Sequence, residues 1–285
     1  MDALRTATPY LSRFRGQIFV IKIGGEVVEA PHSLTQVVEQ IALLWHLGVK
    51  IVVVHGGGTA IDDLSARLGL EVRKVAGRRV TDEAQLEAVK MTLAGKVHTD
   101  ILAAFRSVNL PVVGLSGLDA GLIVAQKRPP VSIEGEKVDF GQVGDIHAVD
   151  AKILHDLLGA GYLPIVTPLT LSAAGEVLNT NADTVASHLA TALTAEKLIF
   201  VIRVLGLLRD VDDPSSLIPA ITKAEIEAAH KENWIAGGMK PKLAAALHAI
   251  EGGVPAVHLV GGFAPDSLLV EIFTNEGSGT MIHTP

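Results

Sequence analysis

An alternation constrains this chain more than any single motif does. Six short runs of β-branched and other apolar residues, at 17–23, 50–55, 110–116, 162–168, 197–202 and 255–260, are separated by longer stretches with helical spacing. A half-buried strand alternates apolar with polar residues, whereas a run that is apolar throughout needs cover on both faces, the situation of a parallel sheet. The stretches at 34–47, 60–68, 82–93, 97–105, 151–158, 184–193 and 242–250 are amphipathic and supply that cover. The expectation is an α/β protein, a three-layer α/β/α sandwich with a mostly parallel central sheet. Two stretches interrupt the alternation. Residues 122–146, rich in strand formers, Gly and Pro, predict antiparallel hairpins at the sheet's edge, and residues 211–238 a polar loop with a short helix. A soft break at "LSAAGE" (171–176) divides the chain into lobes 1–175 and 176–285.

Composition excludes several classes of function. With 285 residues, 48% of them hydrophobic, the chain can bury one large core or two lobes on a shared sheet. It carries 24 basic against 31 acidic residues and no run of Lys and Arg, so a nucleic-acid partner is not expected. The absence of cysteine rules out disulfides, thiolate metal sites and cysteine nucleophiles. The 11 histidines never fall at H-x-x-x-H spacing, and no metal ligand set is assigned. No apolar stretch approaches the roughly 20 residues of a membrane span, and the N-terminal stretch lacks a signal-peptide core. A soluble, cytoplasmic protein is expected.

Chemistry enters with three glycine clusters, "KIGGE" (22–26), "HGGGT" (55–59) and "GGMKPK" (237–242). Consecutive glycines weaken a fold unless the backbone conformation or a close approach demands them. A glycine turn that feeds a helix N-terminus offers free N–H groups and a positive dipole end, which suits phosphate oxygens. Lys22 and Lys242 accompany two of the clusters, and converging lysines and amides are what a moving phosphoryl group requires. Each cluster alone is also explained by a tight turn. Neither G-x-x-x-x-G-K-[ST] nor G-x-G-x-x-G is present, and the lack of a G-x-S-x-G elbow disfavours a serine hydrolase. In "NTNADT" (179–184), Asn181 or Asp183 can cap the following helix, and Asp183 has a second use in holding two ammonium groups.

The motifs "VIKIGG", "VVVHGGG", "GRRVTD", "GLSGLD", "NTNADTVA", "AEKLI", "GGMKPK" and "LLVEIFTNEGSGTMI" occur in that order. Together they resemble the amino acid kinase family, in the order of its acetylglutamate kinases, over nearly the whole chain. The resemblance implies phosphorylation of the side-chain carboxylate of N-acetyl-L-glutamate by ATP with Mg2+, a step towards arginine or ornithine. It implies an N-terminal lobe for the acyl amino acid and dimerisation, and a C-terminal lobe for the nucleotide. It gives Lys22 and Lys242 to the transferring phosphoryl group, Asp183 to the organisation of both, and the backbone of Gly24, Gly25, Gly57 and Gly58 to phosphate binding. Arg79 is implied to grip the substrate's α-carboxylate, with Asn179 and Asn181 lining the same pocket, and Gly57 and Gly58 are implied to bind substrate as well. Lys22, Arg203, Gly238, Met239 and Lys242 are implied to bind nucleotide. The attacking carboxylate is already ionised at neutral pH, so no general base is required.

The chain also departs from the pattern. Arg203 stands in "FVIRVLGLL" where an acidic residue is expected, and Leu118 and Ala120 stand where Lys and Gly are frequent. "GLSGLD" is also similar to kinases that act on α-aminoadipate attached to a carrier protein. The alternative implications are thus a kinase for a related acylated amino acid, or a non-catalytic effector-binding protein of the same fold. Lys197, Glu271 and Gly277 match positions around an arginine effector in inhibited family members. Leu4, Ala7, Leu11 and Phe14 form one apolar stripe, similar to the segment that joins dimers into hexamers, although Pro9 opposes an uninterrupted helix. His55 is expected to serve as packing or support at its strand end.

Overall fold

The computed structural model describes residues 9–10, 12–133, 135–231, 234–235 and 237–284. Eight strands form the main sheet: β1 (Ile18–Ile23), β2 (Lys50–His55), β3 (Val112–Ser116), β4 (Leu163–Thr167), β5 (Lys197–Ile202), β6 (Ala220–Thr222), β7 (Ala256–Gly261) and β8 (Thr280–His283). Their order is β6-β8-β7-β5-β1-β2-β4-β3, and every neighbouring pair is parallel except β7 and β8. The six apolar runs are the six parallel strands. The short β6 and β8 were not legible as strands.

Side-chain alternation along β1 builds the two cores. Phe19, Ile21 and Ile23 point to one face, where they meet α2 (Pro31–His46), α5 (His98–Ser107) and α10 (Ser267–Phe273). Val20 points to the other face, covered by α6 (Lys152–Gly159), α7 (Ala182–Ala192), α8 (Lys223–Lys231) and α9 (Met239–Glu251). The expected three layers therefore follow from period-2 geometry with apolar residues on both faces. Ile21 is fully buried, and Ile21→Ala there would cost about 2–5 kcal/mol.

Two expectations are corrected. Residues 122–146 do not extend the edge of the main sheet. Strands Ile123–Lys127 and Gly144–Val149 instead join Leu169–Ser172 and Val177–Asn179 in a separate four-stranded sheet, and Val131–Ile133 pairs with Glu136–Val138. The buried face of this sheet is completed by strands distant in sequence, which local patterning cannot reveal. The second correction concerns the two helices predicted at 82–93 and 97–105. They are one continuous run: α4 (Glu83–Lys90), a π-helical segment Met91–Val97, then α5. A π turn adds a residue per turn, so the apolar spacing shifts and mimics a break.

Candidate functional site

The loops after β1, β2 and β5 meet at one end of the sheet, where ligands of open parallel sheets bind. Backbone hydrogen bonds stitch these strand ends together: Gly56 N–H donates to Ile23 O at 3.0 Å and Gly24 N–H to Val201 O at 2.9 Å. Gly24 and Gly25 open α1 (Gly25–Val28), and Gly57 caps α3 (Gly58–Arg67). A Cβ on Gly25 would lie 3.0 Å from Gly58 N and 3.1 Å from Gly57 N, so the two turns touch backbone to backbone. That approach is what the consecutive glycines are for. Among the described residues, the N–H groups of Gly25, Gly57 and Gly58 have no backbone acceptor, as expected in the first turn of a helix. Gly24 departs from its expected part in the amide cradle, because its N–H is committed to Val201.

Lys22 shares the parity of Val20 in β1, so its side chain projects toward α7. There Asn181 caps the helix, its Oδ1 accepting from Asp183 N at 2.8 Å and Thr184 N at 3.1 Å. With the cap supplied by Asn181, the Asp183 carboxylate is available to the lysines. Its Oδ1 lies 2.8 Å from Lys22 Nζ and its Oδ2 accepts from Lys242 Nζ at 2.8 Å. All three side chains are about nine-tenths buried. Burial alone would raise the Asp183 carboxyl, but Lys22 and then Lys242 hold it far below the usual carboxylate range. Burial also lowers Lys22, opposed by the Asp183 charge. Lys242 sits in the first turn of α9, where the helix dipole disfavours a cation. A lysine there is explained by anions in front of it.

Three adjoining cavities share these residues. The first, about 200 Å³, lies between Lys22, Asp183, the Gly56–Gly58 turn and Asn179–Asn181. A second, about 300 Å³, runs along Lys22, Gly24, Thr59, Ile202, Arg203 and Lys242. The third, about 240 Å³, shares Gly58, Asn179 and Asn181 with the first and is lined by Lys74, Arg78, Arg79 and Arg128. Gly238 and Met239 begin α9 beside Lys242, but neither lines these three cavities.

Arg79 owes its position to a tight hairpin. Lys74–Val75 pairs with Arg78–Arg79 through Ala76 and Gly77, both at positive φ (47° and 74°). The register sets Lys74 opposite Arg79, and both reach Asp62 on α3. Arg79 Nη2 also donates to Gly58 O at 3.1 Å, which ties this arginine to the amide turn. Asn179 Nδ2 donates to Thr81 Oγ1 at 3.1 Å.

Sequence reasoning missed Lys74, Arg78, Arg128 and the carboxylate of Asp62. The double arginine of "GRRVTD" was the available signal for Arg78. It also missed His98, whose Nδ1 lies 2.9 Å from His55 Nε2. His55 does more than fill space, since its Nδ1 lies 3.2 Å from Gly56 O. That bond makes Nδ1 the donor and Nε2 the acceptor.

Lys197, Glu271 and Gly277 gather away from the glycine-turn end of the sheet, joined by His258, which the sequence did not single out. His258 Nε2 lies 2.8 Å from Lys197 Nζ and Nδ1 lies 2.7 Å from Glu271 Oε1. Glu271 Oε2 accepts from Ser278 N and Gly279 N, and a Cβ on Gly277 would come within 2.8 Å of it. Burial pushes Lys197 down to about 8. The N-terminal segment packs here: Lys197 Nζ lies 5.4 Å over the Phe14 ring and Arg13 donates to Glu196 at 2.9 Å. Pro9, Tyr10 and Ser12–Phe14 are helical, whereas Leu4, Ala7 and Leu11 of the expected stripe lie outside the described residues.

Residues 17–261 match the profile of the amino acid kinase family. The chain is 52% identical to an acetylglutamate kinase from Myxococcus xanthus, over 99% of this chain and 93% of that one. Among solved structures, it resembles an N-acetylglutamate synthase from Neisseria gonorrhoeae complexed with coenzyme A and N-acetyl-glutamate, at 30% identity and TM-score 0.86. The same synthase complexed with coenzyme A and L-arginine aligns at 29% identity and TM-score 0.87. All of this chain is covered in both alignments, but it spans only 63% and 65% of the synthase chains.

Proposed function

The chain belongs to the amino acid kinase family, and from that membership we propose that it transfers the terminal phosphoryl group of ATP to the side-chain carboxylate of N-acetyl-L-glutamate. The product is an acyl phosphate of arginine or ornithine biosynthesis. The observation that carries the reading is the buried Lys22–Asp183–Lys242 bridge beside an amide-lined cleft, in a chain whose full-length relatives are named acetylglutamate kinases.

The reaction brings two anions together, and each group has a part in making that tolerable. Lys22 and Lys242 neutralise charge on the phosphoryl oxygens, while the Gly25, Gly57 and Gly58 amides donate to the same oxygens. Asp183 fixes both ammonium groups without touching substrate. Arg79, Asn179 and Asn181 hold the acyl amino acid so that its carboxylate is in line with the phosphorus. Arg203, on the nucleotide-side cavity, meets ATP phosphates, and Gly238 and Met239 border the nucleotide. Residues 1–175 form the acyl-amino-acid lobe and 176–285 the nucleotide lobe. No cluster of three or more His, Asp or Glu side chains suited to a metal occurs among the described residues. Magnesium is assigned to the nucleotide, where phosphate oxygens and water would hold it.

L-Arginine is the effector assigned to the Lys197–His258–Glu271 cluster, whose carboxylate and backbone turn suit a cationic amino acid. The N-terminal helix beside it joins homodimers into hexamers. None of the described helices is long and apolar enough to cross a membrane, and we place the enzyme in the cytoplasm.

The test is trapping of the acyl phosphate by hydroxylamine, with ATP and N-acetylglutamate, glutamate or N-acetyl-aminoadipate as acceptor. Turnover selective for N-acetylglutamate is expected. No hydroxamate from any acceptor with freshly folded protein overturns the kinase reading, and preference for the longer acceptor reassigns the substrate.

A further inference from the structure

Four cationic side chains, Lys74, Arg78, Arg79 and Arg128, line the acceptor-side cavity, and the reading above uses only Arg79. The counter-charges are fewer. Asp62 takes Lys74 at 2.6 Å and one nitrogen of Arg79, and Asp145 takes Arg128 through Nε at 3.0 and 3.2 Å. Arg78 has no salt bridge among the described residues; burial and then the nearby Arg128 charge lower its pKa, against a raising effect of Asp145. The cavity thus holds more positive charge than its own carboxylates balance.

Two buried nitrogens show where that imbalance is concentrated. Nη1 of Arg79 and Nη1 of Arg128 are both shut away from solvent without a hydrogen-bond partner among the described residues, on side chains only 8% and 11% exposed. A guanidinium nitrogen carries donors that must be satisfied, and leaving them buried and unpaired is unfavourable. The Arg128 fork is fixed in place. Its backbone N–H donates to Val143 O at 2.8 Å, Asp145 holds one edge, and the Phe140 ring lies 5.4 Å beneath its centre. An arginine serving only to tie strands 123–127 and 144–149 together would be complete with Asp145, with no need to line a cavity while keeping one nitrogen unpaired.

We propose that Arg128 is a second substrate-binding arginine, which joins Arg79 in holding the α-carboxylate of the acyl amino acid. Two forks on one carboxylate let both oxygens pair with nitrogens already desolvated, and planar guanidinium is the group suited to this. The cavity shares Asn179 and Asn181 with the phosphoryl-side cavity, so an acid spanning the two places its second carboxylate beside Lys22. Arg78 lines the same cavity and adds to its positive charge. This inference rests on the acyl-amino-acid kinase reading.

The experiment compares N-acetylglutamate with its α-amide, which keeps the reacting side-chain carboxylate, in wild-type protein, Arg128→Gln and Arg128→Lys. Arg128→Gln is expected to raise KM for N-acetylglutamate by about tenfold or more, with kcat within about threefold and kcat/KM for the α-amide unchanged. Arg128→Lys keeps the charge and the Asp145 pair but loses the fork, so its KM falls between the two; it decides the question if the Gln variant does not fold. An equal loss with both acceptors, or an unchanged KM for N-acetylglutamate, overturns the inference. Calorimetric binding of N-acetylglutamate separates the two claims. Binding weakened by Arg128→Gln in a protein that turns over neither acceptor keeps the arginine assignment and removes the kinase reading. Binding unaffected by the variant, or absent in wild type, removes the assignment.

Discussion

Lys22 and Asp183 meet at 2.8 Å across the space between β1 and α7, with side chains 9% and 8% exposed. Because Lys242 grips the other carboxylate oxygen, the two ends of this pair are unequal. Lys22→Met leaves Asp183 paired, whereas Asp183→Asn leaves two buried ammonium groups facing each other. Breaking such a pair from the shared side costs about 3–5 kcal/mol. Asp183→Asn should therefore show the larger loss in urea denaturation. Lys22→Met should fold nearly as well as wild type and lose about a hundredfold or more in kcat.

Gly57 and Gly58 separate packing from chemistry. A Cβ at Gly57 would strike Leu93 Cδ2 at 2.8 Å, whereas one at Gly58 meets no protein atom within 4 Å and enters the cleft. Gly57→Ala is expected to lower stability by about 1–3 kcal/mol through overpacking. Gly58→Ala should melt like wild type yet lose about tenfold or more in kcat/KM, as an obstructed phosphate approach requires. Equal activities for Gly58→Ala and wild type would show that the transferred group lies elsewhere.

His55 bonds the Gly56 carbonyl, and a planar trans peptide then turns the Gly57 N–H to the opposite side. His55→Leu removes this restraint and the His98 contact while keeping bulk. The expected result is a fall in kcat of about tenfold with KM for the acyl amino acid little changed, the signature of a donor used mainly in the transition state. Steady-state kinetics with both substrates varied provide the measurement.

His188 and His248 stack at 4.1 Å between α7 and α9, the helices that carry Asp183 and Lys242. Burial, and then the charge of His248, push His188 down to about 4 from 6.5. Between those values the unfolded chain binds a proton that the folded chain refuses. The contribution to stability is complete above pH 6.5 and declines as pH falls toward 4. The slope is at most about 1.4 kcal/mol per pH unit, reduced by the partial exposure of the ring. His188→Asn should flatten this limb in denaturation series at neutral and mildly acidic pH.

What was legible in the sequence was whatever short periodicity records. Five of the six parallel strands are buried on both faces and announce themselves by it, whereas edge strand β3 is only half-buried and shows by its apolar run alone; the glycine turns announce themselves because three in a row have few other uses. The partner of a strand is not written locally, so the small sheet, in which Leu169–Ser172 lies beside Ile123–Lys127, was misplaced to an edge. The π segment hid inside an apparent gap for the same reason, since one extra residue shifts the apolar stripe. At the site, Lys22 and Lys242 stood out beside glycines. Arg128, embedded in an unremarkable "QKRPP", gained meaning only when folding set it on the same cavity as Arg79.

The strand order carries a consequence for synthesis. β6 touches the sheet only through β8, which lies between it and β7. The ribosome makes residues 220–222 well before residues 280–283, so for nearly sixty residues of translation β6 has no edge to join. At about 5–20 residues per second that is an interval of several seconds. In its last part, once residues 256–261 have been made, the edge of β7 is open to any other extended chain, including one emerging from a neighbouring ribosome on the same message.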